Sequence, residues 1–251
     1  MGRLDRKVAL VTGAGQGVGR GIALALASEG AWVVVSGRSE GKLQPVCKEV
    51  EARGGRAVAV RCDVGVEADV GECVKRSLDA FGRVDILVNN AQEVPFGRLL
   101  ELREQDFDAG WRTGPLATLR FMRACHPHLK GGGSIVNLGT GAALRPDPVG
   151  YGGYAAVKEA IRALTRAAAF EWGPDGIRVN AVIPLASSPG LETWIRTRPE
   201  ESAAFMATVP LGRAGDVEQD IGRAVAWLAS PEASYITGTT LMLDGGQAYL
   251  R

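Results

Sequence analysis

The chain has 251 residues, of which 29 are basic and 28 acidic, so it is close to electrically neutral at +1. That balance, with no basic run, argues against nucleic acid as a partner. No apolar stretch reaches membrane-spanning length, and the opening MGRLDRKVALVTG lacks a signal-peptide core, so a cytoplasmic protein of one α/β domain over residues 1–251 is expected.

In chain order, KVALVT (7–12) reads as a strand and GVGRGIALALASEG (17–30) as a helix ending on Gly30. AWVVVS (31–36) is the next strand, followed by a helix near 39–53. AVAVRCD (57–63) and DILVNN (85–90) are strands on either side of a helix around 67–81. GSIVNL (133–138), IRVNAVI (177–183) and TLMLD (240–244) bring the strands to seven, with an Ala-rich helix at 155–172. Strands apolar on both faces and alternating with helices indicate a parallel sheet covered on both sides, the doubly wound α/β class of Rossmann folds.

The four cysteines (Cys47, Cys62, Cys73, Cys125) form no CxxC pair and read as reduced, buried thiols. His126 and His128 flank Pro127, which suggests a helix end. No cysteine or carboxylate stands at ligand spacing from them, so no metal site is expected.

TGAGQGVG (12–19) falls between the first strand and the first helix, where glycines permit a tight turn and close backbone approach. A helix N-terminus there offers free N–H groups to a pyrophosphate, which points to a dinucleotide. An acidic residue at the end of the second strand would hold the ribose hydroxyls of NAD. Here Gly37 stands at that place, followed by Arg38 and Ser39. An arginine can clamp a 2′-phosphate instead, so NADP is expected in preference to NAD.

YGGYAAVK (151–158) holds two tyrosines and one lysine, and its local pattern does not separate a chemical tyrosine from a packed one. Together these motifs resemble the short-chain dehydrogenase/reductase family over about residues 5–247. TGxxxGxG is met by Thr12, Gly13, Gly17 and Gly19, and the Asp after strand three by Asp63, with Val64 beside it. NNA is met by Asn89, Asn90 and Ala91, and YxxxK by Tyr154 and Lys158. RVNAVIP (178–184), PLGR (210–213) and YITGTTLMLDGG (235–246) resemble the family's C-terminal part.

The resemblance implies an NADP(H)-dependent oxidoreductase moving hydride between the cofactor and a carbonyl or secondary alcohol. Its cofactor contacts would be Gly13, Gly15, Gln16, Gly17, Val18 and Gly19 in the glycine turn. Arg38, Ser39, Asp63 and Val64 would meet the adenosine, and Asn90, Ala91, Pro184 and Ser187 would lie further along. Tyr154 becomes the candidate proton donor and acceptor, and Tyr151 a packing residue. Lys158 would hold the nicotinamide ribose. Its ammonium, with the cofactor's positive ring, would lower the phenol from its usual value of about 10.

Four positions depart from the family pattern. Thr140 stands where the family has its catalytic Ser, and keeps a hydroxyl. Gly114 stands where the family has a helical Asn of its proton relay, although Pro115 can preserve a helix break. Gln92 replaces the glycine of NNAG, and Leu185 the glycine after Pro184, both expected near the nicotinamide. Two readings stay open: an active enzyme with a reshaped pocket, or a dinucleotide-binding paralogue with weak or no catalysis. A dehalogenase of this fold is disfavoured by the intact glycines.

Residues 187–210 occupy the family's lid, where Trp194, Phe205 and Met206 suggest either a lipophilic substrate or ordinary helix packing. Arg145 and Asp147 could add polar specificity. The Ala-rich helix, by the same resemblance, implies a homodimer or homotetramer.

Overall fold

A computed structural model describes residues 2–146 and 149–248, so Asp147 lies outside the described residues. Its strands are β1 (Val8–Thr12), β2 (Trp32–Gly37), β3 (Arg56–Arg61), β4 (Ile86–Asn89), β5 (Ser134–Leu138), β6 (Arg178–Pro184) and β7 (Thr240–Leu243). They form one sheet, ordered β3-β2-β1-β4-β5-β6-β7, and every pairing is parallel. This is the seven-stranded Rossmann-type sheet the sequence pattern implies.

Alternation along β1 explains why the strands are apolar throughout. Ala9 and Val11 join one core with Ile22 and Leu26, whereas Val8 and Leu10 join the other with Phe121, Met122 and Cys125. Each side chain turns to the opposite face from its neighbour, and both faces are covered. The four cysteines are free and buried in these layers.

The helices are α1 (Gly17–Ser28), α2 (Glu40–Ala52), α3 (Glu67–Phe81), α4 (Glu104–Trp111), α5 (Ala117–Leu129), α6 (Gly152–Trp172), α7 (Pro189–Thr197), α8 (Pro199–Met206) and α9 (Arg223–Ala229). Between α4 and α5 the chain keeps helical winding but widens into a π turn over Arg112–Leu116. Pro115 lies inside that turn and cannot donate to the ladder, so the hydrogen-bond spacing changes there. A second π turn, Val217–Gly222, is capped by Asp216 Oδ1, which accepts from the N–H groups of Glu218 (2.9 Å) and Gln219 (2.7 Å). It packs on α1 through Gly21, where any Cβ would run into the Val217 backbone.

Pro127 sits inside α5, two residues before its last residue, Leu129, close to the helix end its sequence suggests. The neighbouring His126 Nε2 pairs with Asp175 Oδ2 at 2.9 Å and its ring lies against Trp172. No helix of the described residues is long and apolar enough to cross a membrane.

Candidate active site

The C-terminal ends of β1 and β4 meet where strand order reverses, and the glycine turn begins there. Asn90 Nδ2 donates to the carbonyls of Thr12 (2.9 Å) and Gly13 (3.2 Å). Thr12 Oγ1 in turn accepts from the N–H groups of Asn90 (3.0 Å) and Ala91 (3.1 Å). This lock leaves no room for side chains beside it. A Cβ on Gly19 would come within 2.5 Å of Asn90 Nδ2, and Gly13 has φ +65° with Asn90 Nδ2 2.8 Å from a Cβ. Glycine is therefore required for both space and conformation.

The turn floors a cavity of about 460 Å³ whose lining includes Gly13, Gly15, Gln16, Gly17, Val18 and Gly19. Gly37, Arg38, Ser39, Asp63 and Val64 form one wall, with Asn90 and Ala91 opposite. Asp63 Oδ1 accepts from Gly65 N–H (2.9 Å), which fixes the carboxylate at the rim. Three lining residues carry groups the sequence reading did not single out for cofactor contact. Lys42 Nζ donates to Gln16 Oε1 (2.7 Å), Glu93 pairs with Arg38 (2.5 Å), and Thr113 Oγ1 accepts from Glu93 N–H (3.0 Å). The helical spacing from Ser39 to Lys42 was the signal available for the lysine.

Thr140, Tyr154 and Lys158 lie outside this lining, one strand further along the same edge. Pro184 and Ser187 are also outside it; Ser188, Pro189 and Gly190 take that side. Leu185 is not in this lining either. It lines a separate cavity with Leu211, Met242 and Ile221, because its backbone is bonded into β7 and to Gly215.

The structure does bring Tyr154, Thr140 and Lys158 together. Asn137 on β5 accepts from Asn89 Nδ2 (2.8 Å) and donates to Thr165 Oγ1 on α6 (2.9 Å), tying that helix to the sheet. On α6, Lys158 is 3% exposed and donates to the Leu138 carbonyl at 2.6 Å, with its Nζ 5.6 Å from the centre of the Tyr154 ring. Burial pushes the lysine down to about 7. The Tyr154 phenol is pushed up to about 12, chiefly by burial and then by the Tyr151 phenol, while a hydrogen bond with Thr140 pulls the other way. The expected lowering is thus reversed among the protein's own groups, because loss of solvation outweighs a lysine that is itself inclined to neutrality. Tyr151 packs between Phe96 (5.1 Å) and Tyr154 (6.2 Å).

Gln92 fills the place left by Gly114. A Cβ on Gly114 would meet the Gln92 carboxamide carbon and Nε2 at 2.8 Å, so the two positions cannot both carry side chains in this arrangement. Both polar atoms of that carboxamide are buried, with no hydrogen-bond partner among the described residues. An unpartnered buried amide costs about 1–3 kcal/mol per group unless a ligand or water satisfies it. In the lid, Trp194 and Phe205 pack edge to face at 5.4 Å, so part of its apolar side is spent on itself.

A glycine cradle at the strand-order reversal, next to a buried Tyr–Lys pair, defines a dinucleotide-binding oxidoreductase site. A family model described as enoyl-(acyl carrier protein) reductase matches residues 13–248. A 12alpha-hydroxysteroid dehydrogenase from a Clostridium species is 44% identical over 98% of both chains. A hydroxynaphthalene reductase-like protein of Metarhizium robertsii is 36% identical, covering 97% of this chain and 95% of that one. The crystal structure of a short-chain dehydrogenase from Burkholderia cenocepacia in complex with NADP superposes with a TM-score of 0.90 at 35% identity, covering 98% and 99% of the two chains. The chain belongs to the short-chain dehydrogenase/reductase family, and it is an oxidoreductase of that type.

The depressed lysine has a measurable consequence. Between about 7 and its ordinary 10.5 the unfolded chain holds a proton that the folded chain has released. Stability should therefore rise with pH across that window, and the penalty should be fully present below it. Urea unfolding of the protein against Lys158→Met from pH 7 to pH 9, where Tyr154 does not yet titrate, should show the parent gaining on the variant. The gain is bounded at about 1.4 kcal/mol per pH unit. Parallel curves would contradict the burial account.

Proposed function

We propose that the protein is an NADP(H)-dependent oxidoreductase of a lipophilic secondary alcohol or the corresponding ketone. The observation that carries this reading is the Thr140–Tyr154 hydrogen bond with Lys158 Nζ 5.6 Å from the Tyr154 ring, across β4 from the glycine cradle. The cradle suits a dinucleotide because side chains are excluded from it, and Arg38 with Lys42 suits a 2′-phosphate. The short-chain dehydrogenase from Burkholderia cenocepacia, solved in complex with NADP, supports the same cofactor. When bound, the cofactor supplies or accepts the hydride.

The chain's own groups do the rest. Thr140 and Tyr154 hold the substrate oxygen, and the Tyr154 hydroxyl gives it a proton in reduction or takes one in oxidation. A phenol raised by burial is little ionised near neutrality, so an ionised Lys158 beside it is needed to favour the phenolate that takes a proton in the oxidative direction. Lys158 has one bond, to Leu138 O, and leaves N–H groups for a ribose. Gln92, seated on Gly114, brings a carboxamide from the β4 loop into the space where the family pattern has a helical Asn. The 44% identity to a 12alpha-hydroxysteroid dehydrogenase makes hydroxysteroids the first substrate class to try.

A panel of hydroxysteroids, ketosteroids and smaller aryl ketones, followed by NADPH absorbance, should reveal turnover. Tyr154→Phe should lose about 10²–10⁴-fold while NADPH binding stays nearly constant. Thr140→Ser should keep activity and Thr140→Val should lose most of it. Gln92→Leu should lower turnover yet raise the melting temperature, since it removes an unpartnered amide. NADPH binding with no turnover anywhere in the panel would favour the non-catalytic paralogue.

We infer also that the chain works as one unit and assembles as a homodimer or homotetramer. Phe170 on α6 and Tyr235 are 88% and 102% exposed, apolar side chains that a second subunit would cover. Sedimentation should show a dimer or tetramer, and a monomer at micromolar concentration would refute the assembly.

A further inference from the structure

Arg38 and Glu93 come from opposite walls of the dinucleotide cavity. Arg38 follows β2, Glu93 follows β4, and β1 with its glycine turn runs between those strands. Their side chains nevertheless meet, Nη1 to Oε1 at 2.5 Å, so the ion pair spans the cavity it helps to line. The Glu93 backbone is tied down by its N–H bond to Thr113 Oγ1, which leaves the side chain as the moving part. The other cation at this rim, Lys42, is held by the neutral Gln16 amide instead. Arg38 is thus neutralised by a carboxylate while Lys42 keeps its full charge.

We propose that Glu93 is a specificity-determining residue that straps Arg38 across the cavity and must release it for a 2′-phosphate to enter. This rests on the reading of Arg38 as the phosphate clamp. A phosphate monoester arriving between Arg38 and Lys42 competes directly with the Glu93 carboxylate for the same guanidinium, and it feels like-charge repulsion from that carboxylate if it stays nearby. A dinucleotide with a free 2′-hydroxyl offers no competing anion, so it gains nothing from opening the pair. Glu93 therefore narrows the preference for NADPH over NADH, and Lys42 carries the first contact with the phosphate while the strap is closed. Because the pair is exposed (63% and 40% for the two side chains), the effect is modest and screened by salt.

Calorimetric titration of NADPH, NADH and 2′,5′-ADP into the parent, Glu93→Gln, Lys42→Ala and Arg38→Ala tests this. Glutamine keeps the size of the side chain and removes its charge, and position 93 is open enough for the variant to fold. Glu93→Gln should tighten NADPH and 2′,5′-ADP about two- to fivefold, the range exposed ion pairs reach, and leave NADH unchanged. The difference should shrink as salt is raised. A phosphate preference that emerges only in Glu93→Gln also supports the strap. If Arg38→Ala abolishes the NADPH preference but Glu93→Gln changes nothing, or tightens both cofactors equally, the strap is wrong and the clamp stands. Equal affinity for both cofactors in the parent and in Glu93→Gln overturns the clamp and the strap together.

Discussion

The site depends on a line of polar bonds that crosses the C-terminal edge of the sheet from strand to strand. Thr12 and Asn90 lock β1 to β4, Asn89 and Asn137 join β4 to β5, and Asn137 reaches Thr165 on α6. Each group is buried or half-buried, where an unpaired amide is expensive, so the line tolerates few substitutes. Its first link compresses the glycine turn against Asn90. Its last link fixes the height of α6, and with it Tyr154 and Lys158 relative to β5. The glycine turn and the Tyr154–Lys158 pair thereby belong to one lattice, although that pair lies outside the cavity the turn floors.

Electrostatics at the two ends of that lattice differ in kind. At the Lys158 end burial dominates: the lysine is pushed toward neutrality and the phenol toward staying protonated. At the Arg38 end the groups are exposed, and cations are balanced by Glu93 or by a neutral amide rather than by desolvation.

Much of this was legible in the sequence because it rests on local chemistry. The seven strands, α2 at 40–52 and α3 at 67–81 lie within one to two residues of their expected bounds, since short β-branched apolar runs and helix spacing are written in each segment. The glycine turn and the Tyr154–Lys158 spacing were equally local. Contacts between distant segments were not legible. Gln92 against Gly114, Arg38 against Glu93, and the turning of Leu185 toward Met242 depend on which walls face each other, and no periodicity reports that. The π turns were half-legible: Pro115 announces a break, but not that the helix continues through it. The upward push of burial on the Tyr154 phenol was not legible, because spacing shows a neighbouring cation but not the depth at which both groups lie.

The crystal structure of the protein with NADPH tests most directly whether one ligand spans this edge. The account predicts the 2′-phosphate between Arg38 and Lys42 with Glu93 displaced, the pyrophosphate over the glycine turn, and Lys158 Nζ within hydrogen-bond distance of the nicotinamide ribose. A 2′-phosphate in solvent away from Arg38, or a nicotinamide end that leaves Lys158 bonded only to Leu138, would contradict it.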